Sequence, residues 1–217
     1  MKDTDLIQET ETFAKEKLAG EGTGHDWWHV FRVINIARKI HAVEGGDWNV
    51  IELTLLLHDV GDRKVINKPD DDYSIAADFL ENQKVPASKI EAIMSIIRTM
   101  SYSKSFDNTP KDSSIEFMIV QDADRLDAIG AIGIGRAFAF GGSRSRLLYD
   151  PSYEAKAFKS SDEYKQSNSS TVHHFYEKLL LIKNTLNTET AKKIANMRDI
   201  FMQEFLEEFY DEWNGKK

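Results

Sequence analysis

Apolar residues recur at three- and four-residue steps along most of this chain. Leu6, Ile7, Phe13 and Leu18 mark a helix over 4–18, stopped by Gly20 and Gly22. Val30, Phe31, Val33, Ile34, Ala37, Ile40 and Val43 form a stripe over 27–43, closed by Gly45 and Gly46. Asp47 caps a leucine-dense run from Trp48 to about Val60, which is expected to be buried on most sides. Helices over 72–83 and 88–102 follow, the second opened by the capping box Ser88 and Glu91. Ser113 and Glu116 form a like pair before Phe117 to Ile129. Segments 171–186 and 189–213 complete the series. In the last, Ile194, Met197, Ile200, Phe201, Phe205 and Phe209 keep the helical step.

No alternating β-branched run and no Asn-Gly hairpin interrupts this pattern. It predicts an all-α fold, a helical bundle, with 1–217 as a single domain. Two polar stretches stay irregular, 61–72 and 141–170. The longer is either a lid or binding loop, or a partly disordered surface loop.

Composition narrows the function. The chain has 217 residues, of which 41% are hydrophobic and 29% charged, the balance of a globular protein. No apolar run approaches the roughly 18–20 residues of a bilayer span, and no membrane is expected among the partners. The first twenty residues are charged throughout and lack the apolar core of a signal peptide. Zero cysteines exclude a disulfide framework, a thiolate metal site and a cysteine nucleophile; a cytoplasmic location is the simplest expectation. Net charge is −8, and the densest basic stretch, Arg136 to Arg146, holds three arginines. A nucleic-acid partner is therefore not expected. A small phosphorylated molecule remains open, provided a metal supplies local positive charge.

The candidate chemistry lies in histidines and aspartates set inside apolar helices. His29 sits on the 27–43 stripe. His58 and Asp59 end the leucine-rich run. Asp122, Asp124 and Asp127 interrupt FMIVQDADRLDAIGAIG. Singly, each has a bland explanation: a hydrogen-bonded core histidine, a helix-end pair, a surface ion pair. Together they sit where water is otherwise excluded, and aspartate is rarely buried there without a partner or a metal. The combination points to a metal shell.

The order His29, His58–Asp59, Asp124, with the strings GHDWWHVFRV, LLLHDVGD and VQDADRLDAIGAIGIGR, resembles the HD-domain metal-dependent phosphohydrolases. The likeness is to a small stand-alone bacterial branch and extends into the C-terminal segment from His173. The resemblance implies a helical bundle in which His29, His58, Asp59 and Asp124 bind one divalent metal. It also implies hydrolysis of a nucleoside triphosphate to monophosphate and pyrophosphate, or of a phosphomonoester as in related branches. The Gly-Tyr-Pro extension of cyclic-dinucleotide phosphodiesterases is not visible. Independently, two imidazoles and two carboxylates suit Mn, Fe, Co, Ni or Zn. Mg alone would favour oxygen ligands. Across Mn, Fe, Co, Ni, Zn and Mg, a manganese-like ion is the favoured expectation.

Helical spacing then nominates further residues. Asp62, three beyond Asp59, would share its face if the helix continued, and is the expected water-orienting base alongside Asp59. His25, four before His29, is expected as a phosphate contact or proton donor. Arg32 and Arg136 are expected phosphate contacts; Lys64, Arg144 and Arg146 are weaker ones. Asp127, grouped with them, is expected to order the site. Trp27 and Trp28 could stack on a base, though core packing is the plainer reading. His173 and His174 are helix-start residues, one of which could face the site. Gly130, Gly133 and Gly135 resemble part of a dinucleotide loop, but no strand precedes them. GGSRS is no nucleophile elbow.

Two other readings stay open. His25-Asp26-Trp27-Trp28-His29 has the spacing of a zinc-protease helix, with aspartate where the base should be, and leaves His58–Asp59 and Asp124 unexplained. A non-catalytic nucleotide-binding domain is the other. The expected partner is a small nucleotide or phosphate ester, and the state a monomer or homodimer.

Overall fold

A computed structural model of the chain describes residues 3–20, 24–63, 65–66, 72–106, 112–158 and 160–217. Its helices run α1 Asp3–Lys17, α2 Trp27–Glu44, α3 Trp48–Leu57, α4 Ser74–Asn82 and α5 Ala87–Thr99. After a 3-10 turn at Tyr102–Phe106 come α6 Ile115–Asp127, α7 Gly130–Ser143, α8 Ser161–Gln166 and α9 Thr171–Glu177. A second 3-10 segment, Leu179–Thr185, leads to α10 Glu189–Trp213. Among the described residues there is no strand, and no helix is long and apolar enough to cross a membrane.

The most apolar helix sits in the middle. Ile51, Leu53, Leu55, Leu56 and Leu57 of α3 are all buried, and the helix packs against α1, α2, α5 and α6. Full burial of such a side chain contributes about 1.5–3 kcal/mol, which is why a ten-residue run buried everywhere but at Trp48, Asn49 and Glu52 becomes the hub. α2 lies along α6, and the long α10 crosses α7, α6 and α2. A second apolar centre forms where Phe175 of α9 packs on Phe138 of α7 and Phe205 of α10, ring centroids 6.2 and 5.9 Å away.

Several boundaries depart from the sequence reading, each for a local reason. The Asp47 cap is as expected, its carboxylate accepting from the backbone N–H groups of Asn49 and Val50. α5 begins one residue before Ser88, with Pro86 rather than Ser88 in the capping position. Ser114, not Ser113, caps α6, and Glu116 turns outward to accept from Asp47 N–H at 2.7 Å. The expected helix 171–186 breaks at Lys178, where φ is −144°. The glycine-bearing stretch from 130, left unassigned in the sequence, is α7. A Cβ on Gly133 would lie 2.3 Å from the Ala128 carbonyl oxygen, so glycine there permits a close approach.

Segment 141–170 is tied down rather than loose in its described part. Its first residues finish α7 and 161–166 form α8. Leu147 and Leu148 carbonyls accept from the N–H groups of Thr171 and Val172 at 3.0 and 2.9 Å. The fully buried Glu177 accepts from Ser169 Oγ at 2.6 Å and Tyr153 OH at 3.2 Å.

Candidate metal centre

Three helix ends converge to build the site. Asp26 caps α2 by accepting from His29 N–H at 2.9 Å, which fixes His29 on the first turn. His58 and Asp59 leave the C-terminus of α3, and Asp124 and Asp127 lie on the last turn of α6. α2, α3 and α6 pack on one another, so these three ends meet in one place.

The imidazoles are oriented by their outer nitrogens. His58 Nδ1 lies 2.8 Å from the Leu55 carbonyl, which can only accept, so Nδ1 carries the hydrogen. His29 Nδ1 donates to Asp127 Oδ2 at 2.7 Å. Both rings therefore turn Nε2 inward. The two Nε2 atoms are 3.3 Å apart. His29 Nε2 is also 3.5 Å from Asp59 Oδ2 and 3.4 Å from Asp124 Oδ1, and His58 Nε2 is 3.3 Å from Asp59 Oδ2. His29 is fully buried, His58 and Asp59 nearly so, and the Asp124 side chain is 31% exposed.

Two lone pairs facing each other beside two carboxylates require positive charge between them. Ligands bound at about 2.0–2.2 Å in octahedral or tetrahedral arrangement stand roughly 3.0–3.5 Å apart, the separations seen here. The protonation behaviour carries the same message. Burial opposes a charged His29, yet its bonds to Asp124 and Asp127 outweigh that and push its pKa up to about 9. Asp124, despite burial, is drawn down to about 2 by His29, and Asp59 is held well below the usual carboxylate range by His58 and His25. The residues fit a divalent ion held by His29, His58, Asp59 and Asp124. His25, His29 and Asp59 form an overlapping triad.

The surrounding residues divide into several groups. His25 Nδ1 is 3.0 Å from Asp59 Oδ2 and its ring also lines an adjoining cavity. Asp127, buried, holds no open face toward a phosphate: Arg32 donates to it at 2.7 and 3.0 Å, and Arg136 at 2.7 Å, besides His29. It ties His29, Arg32 and Arg136 to one carboxylate. Arg32 and Arg136 are correspondingly committed, Arg136 also donating to the Gly24 carbonyl at 2.8 Å while lining the cavity. The helix expected to carry Asp62 stops at Leu57; Asp62 follows on a turn, its N–H bonded to the Asp59 carbonyl at 3.1 Å. Lys64 lies outside the described residues. Gly61, next to this turn, accepts from Asp72 N–H at 2.8 Å, and a Cβ there would sit 2.3 Å from the Asp72 carbonyl oxygen.

Asp122 turns away from the cluster. Its carboxylate accepts from the N–H groups of Asn187 and Thr188 at 2.9 and 2.7 Å and anchors the start of α10. Trp28 is exposed, whereas Trp27 packs on the core. His173 is buried against Ser170 Oγ at 2.7 Å, while His174 lines the cavity. Sequence reasoning passed over Arg63 and Lys178, which also line that cavity; only the folded backbone brings them there.

Residues 27–129 match the HD-domain family. An uncharacterized protein of Bacillus subtilis, YpgQ, is 35% identical over 95% of this chain and 93% of its own. A solved HD-superfamily hydrolase from Bacillus thuringiensis is 38% identical, covers 98% of each chain and superposes with a TM-score of 0.74. The structure of YpgQ in complex with ADP is similar over 95% of this chain and 97% of that one, with 30% identity and a TM-score of 0.75. The chain belongs to the HD-domain family, and its histidine–aspartate cluster makes it a metal-dependent phosphohydrolase of that type.

Proposed function

We propose that this enzyme hydrolyses a nucleoside triphosphate to the monophosphate and pyrophosphate. The observation that carries the reading is the set of four donors linked by separations of 3.3–3.5 Å, beside His25, which joins Asp59 to the wall of a cavity. The ADP held by YpgQ supports a nucleotide over other phosphate esters.

His29, His58, Asp59 and Asp124 would hold the divalent ion; the mixed nitrogen and oxygen donors suit Mn, Fe, Co, Ni or Zn, and a manganese-like ion is the one proposed. When bound, such an ion supplies positive charge opposite the charge that develops on the reacting phosphoryl group. Asp62, bonded through its backbone to Asp59, is assigned to orient the attacking water and accept its proton. His25, at once 3.0 Å from Asp59 and on the cavity wall, is assigned to contact the reacting phosphate. Asp127 keeps His29, Arg32 and Arg136 in register.

The test is a hydrolysis panel. The chelated protein is restored with Mn, Co, Ni, Zn or Mg and given nucleoside tri- and monophosphates. Pyrophosphate and phosphate are read separately, with Asp59→Ala in parallel. Metal-dependent pyrophosphate release that vanishes in Asp59→Ala is expected. Phosphate release from monophosphates alone would replace the reading with a nucleotidase, and absence of turnover would overturn it.

A further inference from the structure

A cavity of about 160 Å³ opens beside His25. Four cations reach its wall from four parts of the chain. Arg63 comes from the turn after α3, Arg136 from α7, Arg146 from the segment after α7, and Lys178 from the end of α9. No aspartate, glutamate, asparagine or glutamine is among the described lining residues. In a chain with 36 acidic and 28 basic residues, such a one-signed concavity is not a sample of the average surface.

The cations are seated. Arg146 donates to the Ser167 carbonyl at 2.5 Å and lies 5.5 Å from the Phe140 ring centroid. Lys178 Nζ stands 4.8 Å over the Tyr102 ring. Arg136 is fixed by Asp127 and Gly24. Phe140, Phe158 and Leu179 form the apolar part of the wall, where a lowered dielectric strengthens attraction between cation and anion.

The volume is near the roughly 150 Å³ that admits benzene, so the cavity takes one end of a nucleotide, not the whole. The chemistry of the wall chooses which end. A base edge mixes N–H donors with ring-nitrogen and carbonyl acceptors and so calls for both kinds of partner, whereas the only side-chain acceptors among the described lining residues are hydroxyls and imidazoles. Phosphate oxygens are acceptors and match guanidinium and ammonium donors. We infer that this cavity receives the phosphate groups beyond the reacting one. Arg63, Arg146 and Lys178 thereby set a preference for a phosphoanhydride chain over a monophosphate. The inference rests on the cluster beside it acting on phosphate.

Calorimetry of the metal-loaded protein with inorganic tripolyphosphate and with orthophosphate tests it apart from turnover. Metal content is read before and after each titration. Arg63→Gln and Lys178→Gln are each expected to weaken tripolyphosphate binding about tenfold and leave orthophosphate binding unchanged. The KM for a nucleoside triphosphate should rise in step. Lys178→Arg, which keeps the charge, should hold wild-type affinity, and tripolyphosphate affinity of the unsubstituted protein should fall with added salt. Tripolyphosphate binding indifferent to both glutamine variants, or an equal loss for both anions, would overturn the inference even if triphosphates are hydrolysed. Charge-dependent tripolyphosphate binding without nucleotide turnover would sustain it while removing the proposed reaction.

Discussion

His29 Nδ1 and Asp127 Oδ2 lie 2.7 Å apart, with both side chains buried. This bond decides which ring nitrogen His29 offers to the cluster. Arg32 and Arg136 converge on the same carboxylate, so Asp127 is held by two cations besides His29. The outer shell of a metal site sets the tautomer and basicity of its ligands, and loss of such a partner lowers metal affinity by about 10–100-fold. Asp127→Asn should therefore bind manganese some 10–100-fold more weakly while retaining the helical circular dichroism signal. Unchanged affinity in a metal titration would show that the backbone alone orients His29.

Metal removal should be felt in stability as well as activity. Without a cation, His29 must carry a buried proton to offset Asp59 and Asp124, which favour a positive partner. A ligand bound only by the folded state raises stability by RT ln(1 + [L]/Kd), about 2.7 kcal/mol at one hundred times Kd. Differential scanning fluorimetry should show Tm fall on chelation and return with manganese. The same protocol applied to Asp59→Ala should show little response.

The aromatic junction of α7, α9 and α10 supplies a prediction far from the metal. Phe175 is fully buried and its ring packs on Phe138 and Phe205. Truncating a buried phenylalanine removes about 3–5 kcal/mol. Phe175→Ala should lose that amount in urea unfolding. A loss below about 1 kcal/mol would mean that the neighbouring rings collapse into the space.

The sequence carried most of the helix series and the candidate histidine–aspartate cluster for identifiable reasons. α2, α3 and α6 have strong apolar stripes, and the buried charges stand out against them: His29, His58, Asp59 and Asp124 were legible because hydrocarbon surrounds them. Asp122 looked the same in sequence and serves another purpose, since what separates it from Asp124 is the arrival of Asn187 and Thr188 from 65 and 66 residues away. α7 was hidden by glycines that normally break helices but here admit close neighbours. Arg136 and Arg146 of the cavity were nominated from the sequence, but the other two cations were illegible for the same reason as Asp122: Arg63 and Lys178 are brought there by tertiary packing, not by any local spacing.

Glu44 offers a prediction with a defined pH dependence. At the end of α2, its carboxylate accepts from Thr190 Oγ1 at 2.7 Å and from Thr190 N–H at 3.1 Å, in the first turn of α10. The Thr190 hydroxyl and then its backbone N–H hold the Glu44 pKa below the ordinary glutamate value. A carboxylate lowered on folding stabilises the native state fully above its unfolded pKa, and that contribution fades as pH falls through the folded value. Glutamine keeps one acceptor but loses the charge that suits a helix N-terminus. Glu44→Gln should therefore lower Tm at pH 7, and the gap from wild type should close below about pH 4. A Tm gap that stays constant from pH 7 to pH 3 would mean that shape, not charge, joins α2 to α10.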